Sequence, residues 1–250
     1  MFNRSFDRPE KKRSSMKKKQ KVNKGQGLNH QAINKVSESP SPEEINTMLA
    51  FINQNRYAEG ERHAKELTLR FPKHGFGWQV LGVILEAQGK NEEALLAMQQ
   101  AAELMPTDEN AHYNLANAFK NTGRLAQAED RYQRALQIKP DFWEALYNLG
   151  IVFKELGRLH DAENSYRKSI EIKPDFVEGR YNLANLLKNS GRLNDAEEHY
   201  RQALQIKPNY APAHHNLANT LKELGRFSEA EDRYRWTLQI KPDYAKPITI

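Results

Sequence analysis

Proline recurs at a fixed interval along this chain, and that interval restricts the fold more than any other feature of the sequence. The prolines stand 34 residues apart, at Pro72, Pro106, Pro140, Pro174, Pro208 and Pro242. The letters around them recur as well, since LQIKPDF at 136–142 returns as IEIKPDF at 170–176 and as LQIKPNY at 204–210. Such a period indicates stacked structural units, each of which buries its apolar face only against its neighbours and so repeats their residues.

The repeating proline also sets the unit boundaries. When it is counted as the thirty-second residue, five full units follow, 75–108, 109–142, 143–176, 177–210 and 211–244. We number the positions inside each unit as places 1 to 34. A weaker unit covers 41–74, where Asn55 and Gly60 replace the glycine and alanine of the full units, as expected of a terminal repeat. A C-terminal stub, 245–250, comes after the last unit.

Two markers predict a pair of antiparallel helices in each full unit. Proline at place 32 ends the second helix, because it lacks an amide hydrogen. Places 4, 7, 8 and 11 form one helical stripe, as at Leu146, Leu149, Gly150 and Phe153, and this spacing predicts an all-α chain. Glycine adopts the left-handed conformation that ends a first helix without a Cβ penalty, and it occupies place 15 as Gly89, Gly123, Gly157, Gly191 and Gly225.

Small residues predict close contact between the two helices of a unit. Place 8 is always glycine or alanine and place 20 is always alanine in the full units, as at Gly150 and Ala162. Small side chains on both faces let helix axes approach to the short end of the usual ~8–10 Å range. We therefore expect leucine at position 162 to overpack the contact.

The residues at these places resemble the tetratricopeptide repeat (TPR). The resemblance rests on the run Trp78-x2-Leu81-Gly82 with Ala94, Ala101 and Pro106, and on the place 24 tyrosines Tyr132, Tyr166, Tyr200 and Tyr234. It covers 75–244 strongly and 41–74 weakly. It implies a right-handed superhelical solenoid of antiparallel helix pairs, with the first helices lining a concave wall, and a non-catalytic scaffold that binds other proteins.

The face of each first helix opposite the apolar stripe is rich in asparagine, at places 6 and 9: Asn114, Asn117, Asn148, Asn182, Asn185, Asn216 and Asn219. Asparagine is a poor residue for a helix interior, but its amide can pair with both groups of a peptide unit. We expect these residues to hold an extended peptide or partner segment in the concave groove. Alanine at positions 148 and 182 should then weaken binding with little loss of stability.

The place 6 asparagines also resemble the ladder in the TPR arm of O-GlcNAc transferases. This resemblance implies an alternative function, in which the chain is the substrate-recruiting N-terminal region of a larger, bacterial-type glycosyltransferase. The catalytic domain would then lie in a part of the protein beyond this sequence.

A column of lysines flanks the asparagines at place 12, as Lys120, Lys154, Lys188 and Lys222. These residues could favour an acidic group on the ligand. Charged residues on a helix nevertheless most often form a solvated face, and nearby glutamates such as Glu155 and Glu223 dilute the positive field. Both interpretations stay open at this point.

The two ends of the repeat array differ from its middle. In the first full unit, the face that carries asparagine elsewhere has Phe76, Val80, Val83 and Ala87, which are either covered by the weaker unit or the tail, or form an apolar anchor pocket for a partner. At the other end, Pro247 stands where another first helix would begin, so parts of Tyr234, Leu238 and Ile240 would face water. Either the chain is a truncated piece of a longer protein, or a partner or a second copy caps this end.

Residues 1–40 form a basic tail. They hold eleven Lys or Arg against three Asp or Glu, a net charge of +8, whereas the other residues hold 38 − 11 = 27 against 32 − 3 = 29, a net charge of −2. The tail is polar and lacks apolar periodicity, which predicts disorder. We favour a solubilising role over contact with nucleic acid or an anionic membrane, because no aromatic residue interleaves the KKRSSMKKKQK run.

Composition argues against several functional classes. The absence of cysteine removes disulfides, thiolate metal sites and thiol nucleophiles, and agrees with a reducing, cytoplasmic compartment. No stretch approaches the roughly 18 consecutive apolar residues of a membrane span. The eight histidines are scattered, and no HExxH, P-loop or dinucleotide fingerprint occurs. We therefore expect no catalytic residue, metal site or cofactor in this chain.

Overall fold

The structure is a computed structural model that describes residues 39–242. Residues 1–38 of the basic tail, whose role was predicted above, and the C-terminal stub lie outside the described residues. Within 39–242 every regular element is an α-helix, which confirms the predicted all-α class. The helices are α1 (Pro42–Asn53), α2 (Tyr57–Arg70), α3 (Gly75–Ala87), α4 (Asn91–Leu104), α5 (Glu109–Asn121), α6 (Leu125–Ile138), α7 (Trp143–Glu155), α8 (Leu159–Ile172), α9 (Val177–Asn189), α10 (Leu193–Ile206), α11 (Ala211–Glu223) and α12 (Phe227–Ile240).

Consecutive helices form hairpins that stack in chain order. Each odd-numbered helix packs against the even-numbered helix that follows it, and each even-numbered helix packs against the first helix of the next hairpin. The chain thus forms a solenoid of helix pairs. The odd-numbered helices from α3 onward correspond to the first helices of the full units.

A left-handed residue ends the first helix of every hairpin. The five glycines at place 15 have φ between 74° and 78°, as predicted, and nothing lies within 4 Å of a Cβ added to them. Backbone conformation alone therefore selects glycine there. In the first hairpin Asn55 takes the same role with φ 55°, since asparagine visits this region more readily than other side chains.

The predicted close contact between paired helices is present at place 8. A Cβ added to Gly82 would lie 2.6 Å from Cγ of Met98, and one added to Gly150 would lie 2.7 Å from the ring of Tyr166. The carbonyl oxygen of Ala162 would be 3.3 Å from the same Cβ of Gly150. Ala162 itself is fully buried, so the two helix backbones meet with no space for a larger side chain.

The first hairpin covers the apolar face of the first full unit. Val80 is 1% exposed and packs in one cluster with Met48 and Leu67 of α1 and α2. Val83 is also buried, in the cluster that continues through the later units. Of the two interpretations above, coverage by the weaker unit is therefore correct, and these valines do not form an open anchor pocket.

The last described helix is less well covered. On α12, Trp236 is 45% and Leu238 is 41% exposed, and Tyr234 and Ile240 are half-buried. The equivalent tyrosines of the three preceding units, Tyr132, Tyr166 and Tyr200, are completely buried. Exposure of apolar side chains at this end agrees with the expectation from the sequence.

Candidate functional site

The candidate wall consists of the predicted asparagines and lysines on α5, α7, α9 and α11. The structure does not leave all seven asparagines open to solvent. Asn114 is 7% and Asn117 is 6% exposed, so both are buried. The other five, Asn148, Asn182, Asn185, Asn216 and Asn219, are half-buried. The expectation that places 6 and 9 both lie opposite the core is therefore wrong for α5 and needs a structural reason.

For place 9 the reason is a hydrogen bond that three of the hairpins form between place 24 and place 9. The hydroxyl of Tyr132 donates to Oδ1 of Asn117 at 2.5 Å, and that of Tyr200 donates to Oδ1 of Asn185 at 2.6 Å. Tyr234 and Asn219 form the same bond at 2.5 Å. A buried hydroxyl needs a partner, so place 9 lies at the boundary between the wall and the second helix.

Three of the four place 6 asparagines bond to the preceding unit instead. Nδ2 of Asn182 donates to the hydroxyl of Tyr147 at 2.6 Å. The same bond joins Asn148 to Tyr113 and Asn216 to Tyr181, each at 3.0 Å. Tyr113, Tyr147 and Tyr181 stand at place 5 of their units, and through these bonds they join α5 to α7, α7 to α9 and α9 to α11.

Asn148 has both hydrogens of its Nδ2 and one of the two acceptor positions of its Oδ1 occupied. Its Nδ2 also donates to the carbonyl oxygen of Glu144 at 3.1 Å, and its Oδ1 accepts a bond of 2.8 Å from Nζ of Lys120. Within the described residues, the side-chain oxygens of Asn182 and Asn216 accept no hydrogen bond, and neither is among the buried atoms that lack a partner. These two acceptors are therefore solvent-accessible and are held in place through their Nδ2 atoms.

The lysine column is not uniform. Lys120 is half-buried, and desolvation lowers its pKa against the opposing effect of the Glu86 and Glu155 carboxylates. Lys188 forms an ion pair of 3.0 Å with Glu223 of the next unit. Lys154 and Lys222 are exposed. The wall thus carries mixed charge, and only part of the column is open to an acidic group.

The tyrosines in and behind the wall, at places 5 and 24, remain protonated at neutral pH. Burial raises the pKa of Tyr147 to about 12, and it raises the pKa of Tyr166 and Tyr200 as well. Each hydroxyl consequently keeps its hydrogen and acts as a donor. A hydroxyl that already accepts a bond from asparagine still has this hydrogen to give.

The described residues offer little for other kinds of site. Within 39–242 no group of three His, Asp or Glu side chains is arranged to hold a metal ion. In the same range no helix has both the length and the apolar character that crossing a membrane requires.

Comparison with known families identifies the class of protein. A family model described as "Tetratricopeptide repeat" matches residues 107–175 and 178–243, and a second one, described as "TPR repeat", matches 82–123. Together with the hairpin geometry, these matches show that the chain belongs to the tetratricopeptide repeat family. Its fold is that of a protein-interaction scaffold.

Individual similar proteins agree with this class. Protein O-mannosyl-transferase Tmtc3 of Drosophila melanogaster is 46% identical over 52 residues, which are 21% of this chain and 6% of that protein. The chain therefore matches only a small part of that relative.

Several solved structures share the fold. PilW, a type IV pilus biogenesis factor, superposes with a TM-score of 0.74 at 20% identity over 82% of this chain and 94% of its own. YrrB, described as a TPR protein with an unusual peptide-binding site, gives a TM-score of 0.60 at 20% identity over 72% and 93%. At these identities the similarity concerns the fold alone.

Proposed function

We propose that this chain is a binding scaffold that holds an extended segment of a partner protein along the wall of α5, α7, α9 and α11. The proposal assigns no catalytic step to the chain and places it in the cytoplasm, in agreement with its lack of cysteine. The glycosyltransferase alternative remains a prediction from sequence.

One observation carries the proposal. Asn182 and Asn216 are each anchored through Nδ2 to a tyrosine on the first helix of the preceding hairpin, while their Oδ1 atoms accept nothing from the described residues. An anchored side chain has already lost its rotamer freedom, so binding a ligand costs it little further entropy. These oxygens suit backbone N–H groups, which every residue except proline presents. The predicted binding is thus largely independent of the ligand sequence.

The proposal narrows the set of predicted binding residues. The oxygens of Asn117, Asn185 and Asn219 accept hydrogen bonds from tyrosines of their own hairpins, and the oxygen of Asn148 accepts one from Lys120. We therefore assign the backbone contacts to Asn182 and Asn216. Lys154 and Lys222, which are exposed on α7 and α11, are the lysines best placed for an acidic side chain. YrrB, which has the same fold and a peptide-binding site, supports this use of the architecture.

The test uses the full chain and a display library of random peptides. Peptides selected on the wild-type chain are synthesised, and their Kd is measured on the variant that combines Asn182→Ala with Asn216→Ala. Two lost hydrogen bonds of about 1 kcal/mol each predict a Kd at least about tenfold weaker. Asn189→Ala, an exposed asparagine at the end of α9, is the matched control and should bind normally. Equal Kd values for the double variant and the wild type would contradict the proposal.

A further inference from the structure

Places 9 and 24 are chemically matched in four of the five full units. Three units pair asparagine with tyrosine through a hydrogen bond, as described above. The first full unit instead has Val83 and Met98, two apolar side chains buried in the same cluster. The unit 143–176 breaks the rule, because it places Ile151 opposite Tyr166. The Tyr166 side chain is completely buried and its hydroxyl has no hydrogen-bond partner.

An unpaired buried hydroxyl is unfavourable, because its desolvation is not compensated. The neighbouring units show that asparagine at place 9 would supply the missing acceptor. A second change stands in the same turn of α7, since Gly150 occupies place 8 where Ala116, Ala184 and Ala218 stand in the other tyrosine-bearing units. The ring of Tyr166 lies where an alanine Cβ would be, at 2.7 Å. Two residues of one helical turn thus depart together from the pattern, at the expense of the fold. A local departure of this kind is typical of a functional position.

The position of Ile151 indicates what that function is. It lies one turn beyond Asn148 on α7 and therefore on the same side of the helix. It is half-buried and packs against the main core cluster, so it is held in place while part of it reaches solvent. Asn185, its counterpart on α9, presents an amide. Ile151 is consequently an apolar position in a wall that otherwise presents amides, hydroxyls and charges.

We propose that Ile151 is a specificity-determining residue, which contacts an aliphatic side chain of the bound segment while Asn182 and Asn216 hold its backbone. This inference rests on the proposed function and adds the chemistry of one ligand side chain. Because Ile151 replaces asparagine, the unit lacks the hydrogen bond to Tyr166 that would stabilise the fold, and Ile151 offers the ligand an apolar contact instead. An aliphatic residue is the fitting occupant, because Ile151 offers neither a charge nor a hydrogen-bonding group.

The test compares the wild-type chain with the double variant Gly150→Ala, Ile151→Asn. This variant gives α7 the same residues at places 8 and 9 as α9, which has Ala184 and Asn185 there. Random peptides displayed on phage are selected on the wild type. We expect an aliphatic residue at one fixed position of the selected peptides. Replacing it with alanine should weaken Kd about tenfold on the wild type, and have little effect on the double variant. The Cβ that Gly150→Ala adds requires the ring of Tyr166 to shift, so a thermal unfolding curve of the double variant is recorded to check that it folds.

Two further variants separate the possible outcomes. Ile151→Ala shortens the contact without adding a polar group and should also reduce the preference, even if the double variant fails to fold. Ile172→Asn, the same chemical change on α8, should leave the preference intact. Selected peptides without a fixed aliphatic position, or an unchanged preference on the Ile151 variants, would overturn this inference and leave the scaffold function standing. Failure of the wild type to select any peptide would contradict the proposed function and this inference with it.

Discussion

Asn182 donates a hydrogen bond of 2.6 Å to the hydroxyl of Tyr147, a residue that stands 35 positions earlier in the chain. The bond joins α9 to α7, the first helices of two successive hairpins. Its equivalents join α7 to α5 and α11 to α9. The asparagines of the wall therefore contribute to repeat stacking as well as to the proposed binding surface.

The first prediction concerns the stability of this contact. Asn182→Ala and Tyr147→Phe should each lower the free energy of unfolding by about 1 kcal/mol, because each leaves a polar partner unpaired. This corrects the expectation from sequence that alanine at position 182 has little effect on stability. The measurement is urea unfolding of both single variants and the double variant. A double-mutant cycle with no coupling energy would show that the bond contributes nothing.

The second prediction concerns the left-handed glycines. Gly157→Ala should destabilise the chain by about 1–2 kcal/mol, because the φ of 75° at this position is unfavourable for alanine. No atom lies within 4 Å of the added Cβ, so the change in stability reports the backbone conformation and not a steric clash. Asn55→Gly, at φ 55°, is the control and should be close to neutral. Thermal unfolding of both variants provides the measurement. A neutral Gly157→Ala would contradict the role given to φ.

The third prediction concerns the contact between α7 and α8. Ala162→Leu should cost on the order of 1–3 kcal/mol, because Ala162 is fully buried against the turn of Gly150. The same change at Ala126, an exposed residue of α6, is the control and should have little effect. Chemical unfolding of the two variants compares them directly. Equal stability would show that the helices can move apart at no cost.

The fourth prediction concerns acid stability. Hydrogen bonds from Lys65 and then Lys90, each with an N–O distance of 2.7 Å, lower the pKa of Glu61 to about 2. A folded-state pKa below the ordinary value of 4.5 means that this stabilisation is present above pH 4.5 and is lost as the pH falls toward 2. Glu61→Gln should therefore be less stable than the wild type at neutral pH.

The stability difference between these two proteins should shrink between pH 4.5 and 2 and disappear below it. Its size at neutral pH should be modest, since solvent screens ion pairs at the surface. Glu66→Gln, at an exposed glutamate of the same helix, is the control. A difference between wild type and Glu61→Gln that does not change with pH would contradict this account.

Much of the fold could be predicted from local sequence patterns. Pro140 and Gly157 mark helix ends through backbone chemistry alone, and Gly150 and Ala162 mark the helix contact through size. These markers recur in each of the five full units, so the fold prediction does not depend on any single residue. Each helix from α3 to α12 ends two residues before the glycine of place 15 or the proline of place 32.

The hydrogen-bonding partners of the wall were harder to predict. A helical wheel gives the direction of Asn117 from its own helix axis, but not the position of the partner helix that brings Tyr132 within reach. A sign of this pairing was nevertheless visible in the sequence, since asparagine and tyrosine recur 15 residues apart in three units. The matching offset of 35 residues between Tyr147 and Asn182 was equally regular. The unpaired hydroxyl of Tyr166 could be recognised only once these pairs were known.

The bonds between units give the array a polarity. In the three bonds that join a tyrosine to an asparagine of another unit, the tyrosine belongs to the earlier hairpin and the asparagine to the later one. Fraying of the last hairpin, α11 and α12, removes Asn216 but leaves Asn182 anchored on Tyr147. Fraying from the other end as far as α7 releases Asn182 while its own helix is still folded. Each anchored acceptor thus depends on the hairpin before it, so unfolding from the N-terminal side as far as α7 would free the Asn182 side chain while Asn216 stays anchored on Tyr181.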